Sequence, residues 1–268
     1  MKFDVSISNP PYGKRKVDDN LTGSVLWADF VKRFVPLSED SSYVHPPIWR
    51  RPANSNSQVD MFRYVANRIK YLSINDIEAG KRVFGAGSRF DWWTTGSASH
   101  VKINDANGHE WELDLSEWDW LPNKDFEFVK NLLGEFNEGR VIFGSAHHAS
   151  RDHVHPDPNR FPHQVIHSTA GGRDIRSTWK GGGAFGKPKV IFSETGVGDP
   201  IVDLEGEYGL TQQAIGVPVS GSDEAQRVVS ALKSDAFKRL TDACSWSTYR
   251  IDYRMIQYFR DDWYDQLL

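Results

Sequence analysis

Asn9, Pro10, Pro11 and Tyr12 follow one another directly after the run FDVSIS, close to the start of the sequence. Each residue type brings a chemical property. The asparagine amide carries an acceptor oxygen. The prolines stiffen the turn and have no N–H to give to a strand ladder, which leaves a backbone carbonyl free of competing bonds. The tyrosine offers a flat ring. An exocyclic amino group needs two acceptors for its two hydrogens, and a base needs a ring to stack on, a contact worth about 1–3 kcal/mol. A base extruded from a duplex would meet both needs here. The plainer alternative is a turn whose tyrosine is simply packed.

The surrounding elements must hold this turn in place. FDVSIS reads as a strand with Val5 and Ile7 on one face. In open α/β sheets, ligands bind beyond the carboxyl ends of the strands, and that is where Asn9 would lie. GSVLWADFVKRFVPL reads as a helix, because Leu26, Phe30, Val31 and Phe34 share a face. SSYVHPPIW reads as a strand. SQVDMFRYVANRI reads as a second helix, capped by Asn56 or Ser57. IKYLSIND and SRFDWWTTG add two strands, and this alternation predicts a parallel α/β sheet. From about residue 100 the pattern changes. A hairpin is expected around Asn107-Gly108, then a short helix in DFEFVKNLLGEF. A segment poor in periodicity follows over 144–189, then a strand in KPKVIFSETG. One long helix is expected in SDEAQRVVSALKSDAFKRLTDAC, with Ser222 as its cap. The domain boundary is set at residue 110, giving 1–110 and 111–268.

The 268 residues are 39% hydrophobic and 25% charged, as in a soluble globular protein, and no apolar run approaches the ~18 residues of a membrane span. A single cysteine, Cys244, excludes an intrachain disulfide and a thiolate metal cage; a reducing, cytoplasmic setting is the default. The net charge of −4 conceals an alternation. Residues 1–89 hold 14 Lys/Arg against 9 Asp/Glu, and residues 139–190 hold 8 against 3, while residues 90–138 and 191–268 are acidic. Two basic blocks brought onto one face could meet phosphates; scattered surface charge is the alternative. Six of the nine histidines (His147, His148, His153, His155, His163 and His167) lie between residues 147 and 167. With Asp152 and Asp157 they could hold a divalent metal, which would make a metal-dependent nuclease the rival enzyme class. A non-catalytic DNA-binding module is a third class.

FDVSISNPPYG resembles motif IV of the N6-adenine DNA methyltransferases, in particular the γ-ordered, Eco57I- and TaqI-like group. LWADFVKRFV, YVHPPIWRRP, MFRYVANRIKYLSIND and VFGAGSRFDWWTT then run in that family's order, so the resemblance covers residues 1 to about 100. The resemblance implies a partial Rossmann-like methyltransferase sheet followed by an α+β target-recognition domain. It implies that the Asn9 side chain and the Pro10 carbonyl hold the adenine amino group, with Pro11 in the same catalytic turn and Tyr12 stacked on the flipped base. RVFGAGSRFDWW resembles the segment that supplies the second stacking ring, with Phe84 the best match and Phe90 and Trp92 as runners-up. Double-stranded DNA is the implied partner. Lys14, Arg15 and Lys16 beside the motif, and Lys180, Lys187 and Lys189 in STWKGGGAFGKPK, are the expected phosphate contacts.

The family's cofactor is S-adenosylmethionine, held by a Gly-rich turn after a first strand and an acidic residue after a second. In the γ order both precede the Asn-Pro-Pro-Tyr motif, and here only two residues precede Phe3. The cofactor-binding half is therefore expected from a partner subunit or a longer chain. The strand at Phe3–Ser8 is expected to be a sheet edge that self-associates or takes a partner.

Overall fold

The computed structural model describes residues 3–11, 26–52, 59–96, 98–247 and 251–268. Backbone contacts divide the chain into two compact units: Met1–Phe126 with Ser245–Thr248, and Glu127–Cys244 with Tyr249–Leu268. The division thus falls later than residue 110, because the hairpin expected to open a second domain belongs to the first sheet.

The first unit runs β1 (Phe3–Ser8), α1 (Leu26–Phe34), β2 (Ser38–His45), α2 (Val59–Ala66), β3 (Ile69–Asn75), α3 (Ile77–Phe84), β4 (Phe90–Thr95), β5 (Val101–Asn104) and β6 (Glu110–Leu113). The strands form one sheet in the order β1-β2-β4-β3-β5-β6. It is mixed rather than parallel. The β1–β2 and β3–β5 pairs are parallel, but β4 runs antiparallel between β2 and β3. The connection from β3 to β4 accounts for this. Helix α3, which was not expected from the sequence, rises only ~12 Å. Asp76 caps its start by accepting from the Ala79 N–H, and Gly85 ends it at φ 67°. The chain then doubles back along the helix: a Cβ on Gly80 would stand 1.9 Å from the Ser88 carbonyl oxygen. The strand after α3 therefore starts at the edge that β3 has just left.

The core of this unit is aromatic. Trp27 and Val31 of α1, Tyr43 of β2, Phe62 of α2, Leu72 of β3 and Trp93 of β4 are all buried. Strand β1 is the outermost strand described, and only β2 pairs with it. It exposes Phe3 (52%), Val5 (62%) and Ile7 (84%), all on one face.

The second unit continues with α4 (Phe126–Leu132), β7 (Ile142–Phe143), β8 (Val154–His155), β9 (His163–Ser168), β10 (Asp174–Thr178), β11 (Lys189–Ser193), β12 (Gly196–Asp203), β13 (Gly209–Leu210), β14 (Ala214–Pro218), α5 (Ser222–Leu232) and α6 (Asp235–Ala243). Two four-stranded sheets result, β13-β9-β10-β8 and β12-β11-β14-β7. Three of these strands lie in the segment that shows no periodicity in sequence. In β9, Val165, Ile166 and His167 are buried in succession, so neither face has the polar alternation that reveals a half-exposed strand. Ile166, Ile191 and Leu210 share one core cluster. The single long helix expected near the C-terminus is two, because Ser234 accepts from the Phe237 N–H at 3.0 Å and caps a new start. Gly221 rather than Ser222 caps α5; Glu224 reaches back to the Ser220 N–H at 2.7 Å.

Candidate base-binding edge and nucleic-acid surface

The strand directions bring the sequence's candidates to one edge of the first sheet. Ser8 pairs with Tyr43, so β1 and β2 end together. His45 pairs with Asp91 and Asn75 with Phe90, so β4 begins where β2 and β3 end. Asn9, the turn at Pro46-Pro47, and the segment from Phe84 to Phe90 are therefore neighbours at the carboxyl edge. Strands β1 and β4 lie two strand spacings apart, or ~10 Å. Asn9 and Pro11 are exposed and Pro10 is buried. Phe84, at the last turn of α3, is 44% exposed. Its ring meets the edge of Phe90 at 4.9 Å and 79°. Phe90 itself is buried. Trp92 packs on Tyr71 at 4.9 Å. Of the three aromatic candidates, Phe84 is thus the one offered to solvent at this edge. Tyr12, Lys14, Arg15 and Lys16 lie outside the described residues, as do the cap positions Asn56 and Ser57.

A buried polar network, which sequence reading missed, braces this edge. Arg50 and Asp91 are both fully buried. Asp91 Oδ2 accepts from Arg50 Nε and from Trp49 Nε1, each at 2.7 Å, and Asp91 Oδ1 accepts from Arg50 Nη2 at 3.0 Å. The remaining guanidinium hydrogens go to the carbonyls of Leu121 (3.1 Å) and Pro122 (2.8 Å) and to Asn123 Oδ1 (2.9 Å). The guanidinium is therefore saturated, as a buried charge requires. Beside it, His45 stacks on Trp27 at 4.4 Å. His45 Nδ1 donates to the Pro46 carbonyl and Nε2 accepts from Trp93 Nε1 at 2.7 Å. Burial lowers its pKa to about 4, so the ring is neutral. The signal in sequence was the pair PPIWR and FDWW: an arginine and an aspartate, each flanked by tryptophan, at the two segments that meet at this edge.

The second unit separates the three lysines of STWKGGGAFGKPK. Lys180 and Lys187 are exposed, and no carboxylate pairs with them among the described residues. Lys189 does not reach the surface. It is fully buried, 2.5 Å from Asp203, and burial lowers its pKa while Asp203 opposes the shift. It is a structural lysine, and its expected phosphate contact is excluded by its position in β11. The histidines are packed as rings. His147 meets His153 at 5.7 Å and Phe185 at 5.5 Å. His163 meets Phe185 at 5.5 Å, and His155 meets Phe161 at 6.1 Å. His167 shares a hydrogen bond with Thr211 at 2.8 Å, and His148 Nδ1 accepts from the Ser150 N–H. Among the described residues no three His, Cys, Asp or Glu side chains are grouped to hold a metal ion, so the nuclease reading has no ligand set to rest on there. No described helix is long and apolar enough to cross a membrane.

FGAGSRF, a Gly-x-Gly stretch that looks like a cofactor loop, follows a helix rather than a strand: Gly85 is the residue that ends α3. Its backbone is used to turn the chain, not to open a helix N-terminus.

No family model and no curated protein matches the sequence. Among solved structures, the chain is similar to the type IIL restriction-modification enzyme MmeI in complex with DNA, with a TM-score of 0.55 at 9% identity, over 95% of this chain and 46% of that one. It also matches the type IIG restriction endonuclease BpuSI (TM-score 0.38, 11% identity, 98% of this chain and 48% of that one). A type I restriction-modification complex matches at a TM-score of 0.28 and 15% identity, over 38% of this chain and 23% of that one. The chain spans less than half the length of each. It shares its mixed α/β fold with a restriction-modification enzyme.

Proposed function

We propose that this chain is the base-holding and recognition part of an N6-adenine DNA methyltransferase of a restriction-modification system. One observation carries the reading. An exposed asparagine with a proline carbonyl behind it, and a half-exposed phenylalanine, lie at the same carboxyl edge of one sheet, two strands apart. In this reading the Asn9 Oδ1 and the Pro10 carbonyl accept the two hydrogens of the adenine amino group. This raises electron density on the nitrogen and aims its lone pair, an effect of positioning and preorganised electrostatics. Tyr12 and Phe84 take the two faces of the ring. The Arg50–Asp91 pair keeps the turn after β2 and the start of β4 in register, which fixes the floor of the site. In this reading the methyl donor, S-adenosylmethionine, is held by a complementary segment. Strand β1, paired on one side only among the described residues, is the edge along which that segment would add its own strand. The second unit takes double-stranded DNA through Lys180 and Lys187.

The test is transfer of labelled methyl groups to DNA by the chain combined with a cofactor-binding half, read beside duplex affinity. Asn9→Ala is expected to abolish transfer and leave duplex binding within about twofold. Loss of duplex affinity in parallel with transfer would show that Asn9 maintains the fold rather than holds the base.

A further inference from the structure

The second unit presents two large apolar rings to solvent among the described residues, Phe136 and Trp179, and only Trp179 adjoins the histidine rings. Trp179 is 58% exposed and stands just beyond the end of β10, where Thr178 pairs with Val154 on one side and His163 on the other. Behind it the rings form a continuous stack of contacts. His153 meets Trp179 edge-on at 6.0 Å, His147 meets His153, and Phe185 bridges His147 and His163. The backing is firm. His147 is 1% exposed, its Nε2 faces the Gly182 carbonyl at 3.3 Å, and its pKa is lowered by burial. The chain leaves Trp179 through Lys180, whose N–H donates to Thr178 Oγ1 at 3.1 Å. It then turns through Gly182 and Gly183 at φ 90° and 71°. Nothing lies within 4 Å of a Cβ built on Gly181 or Gly182, so the space over the turn is open. Arg151, Arg160, Lys180 and Lys187 are exposed, and none has a carboxylate partner among the described residues.

An indole more than half exposed and in T-shaped contact with an imidazole, in a unit whose Arg151, Arg160, Lys180 and Lys187 face solvent, matches the two needs of an unpaired nucleotide. The ring stacks on the base, and the cations meet its phosphates. Phosphate contacts alone would not require an exposed tryptophan with a buried aromatic footing. We propose that Trp179 is a stacking site for an unpaired DNA base, so that the second unit grips an unstacked step of the duplex as well as its backbone. The inference rests on the DNA-recognition role given above to this unit, and it is independent of any methyl transfer.

The full chain would be titrated with two duplexes, one intact and one carrying a single unpaired 2-aminopurine, with anisotropy read for affinity and 2-aminopurine emission for stacking. The wild type is expected to prefer the bulged duplex by roughly five- to hundredfold and to quench its emission. Trp179→Ala should lose both the preference and the quenching, and Trp179→Phe should keep them. Retained preference and quenching in Trp179→Ala, or equal wild-type affinity for the two duplexes, would overturn the proposal. If the wild type bound the intact duplex while showing either result, the recognition role would survive without it; if it bound neither duplex, both would fall.

Discussion

Replacing Asp91 by alanine tests whether the buried network is what sets the carboxyl edge. The substitution removes the acceptor of three hydrogen bonds, from Trp49 Nε1, Arg50 Nε and Arg50 Nη2. It leaves a guanidinium at 0% exposure with only two carbonyls and one amide oxygen around it. Removing one partner of a buried pair costs about 3–5 kcal/mol, because the other charge stays desolvated. For a unit of this size each kcal/mol moves the melting temperature by about 3–5 °C. The melting temperature of the first unit should therefore fall by about 10–20 °C. The double variant Arg50→Met with Asp91→Leu removes both charges and should recover most of that loss, since an apolar pair of similar volume is often neutral or better. Circular dichroism and calorimetry on the wild type, the double variant and its two singles, Arg50→Met and Asp91→Leu, complete the cycle, with Asp91→Ala measured beside them. A shift below about 3 °C for Asp91→Ala, or a double variant as unstable as the sum of the singles, would refute the account of the network as a stabilising brace.

Four further variants probe other parts of the structure. His45 titrates at about 4 in the folded chain, below its ordinary 6.5, so protonation favours unfolding. Its stabilisation is complete above pH 6.5 and is lost as the pH falls toward 4, by about 3 kcal/mol at most. His45→Gln should flatten the fall in melting temperature across that window, and equal slopes for the two proteins would contradict it. Lys187→Ala should lower the salt slope of duplex binding by about 0.9 with an unchanged melting temperature. Lys189→Ala should do the reverse, costing about 3–5 kcal/mol by stranding Asp203 while leaving the slope alone. Ile7→Lys, at a position 84% exposed, should leave the melting temperature within about 1–2 °C, within the ~0.5 kcal/mol typical of surface changes. It should also suppress any concentration-dependent association seen by light scattering; unchanged association would clear β1 of that role.

The sequence made the first sheet legible wherever a strand has one wet face or a helix one dry one. It did so for β1, α1, β3 and the hairpin at Asn107-Gly108. It hid what tertiary contacts decide. Helix α3 is eight residues long and carries no broad apolar stripe; a capping aspartate and the turn at Gly85 define it, and those make sense only once the chain folds back on Gly80. The reversal of β4 depends on that same turn. In the second unit, strands covered on both faces have no alternation to read, and Ser234 looks like one more polar residue in a helix until its hydroxyl is seen capping a new one. The site divides in the same way. Asn9 and Phe84 were singled out by residue type and order, and the structure sets both at the carboxyl edge of the first sheet. Arg50 and Asp91 were not, because a salt bridge spanning 41 residues leaves no local pattern. Lys189 was misread because its buried aspartate partner is 14 residues away in sequence.

Strand β1 has a consequence for how the protein behaves at different abundances. A row of backbone donors and acceptors with no neighbour among the described residues, flanked by exposed phenylalanine, valine and isoleucine side chains, is a template for an extended segment. Dilute chains meet few such segments. If these rims pair with one another, their encounters multiply with the square of the concentration as copies accumulate. Yield on overproduction would thus be governed less by how stable either unit is than by how quickly that rim is covered.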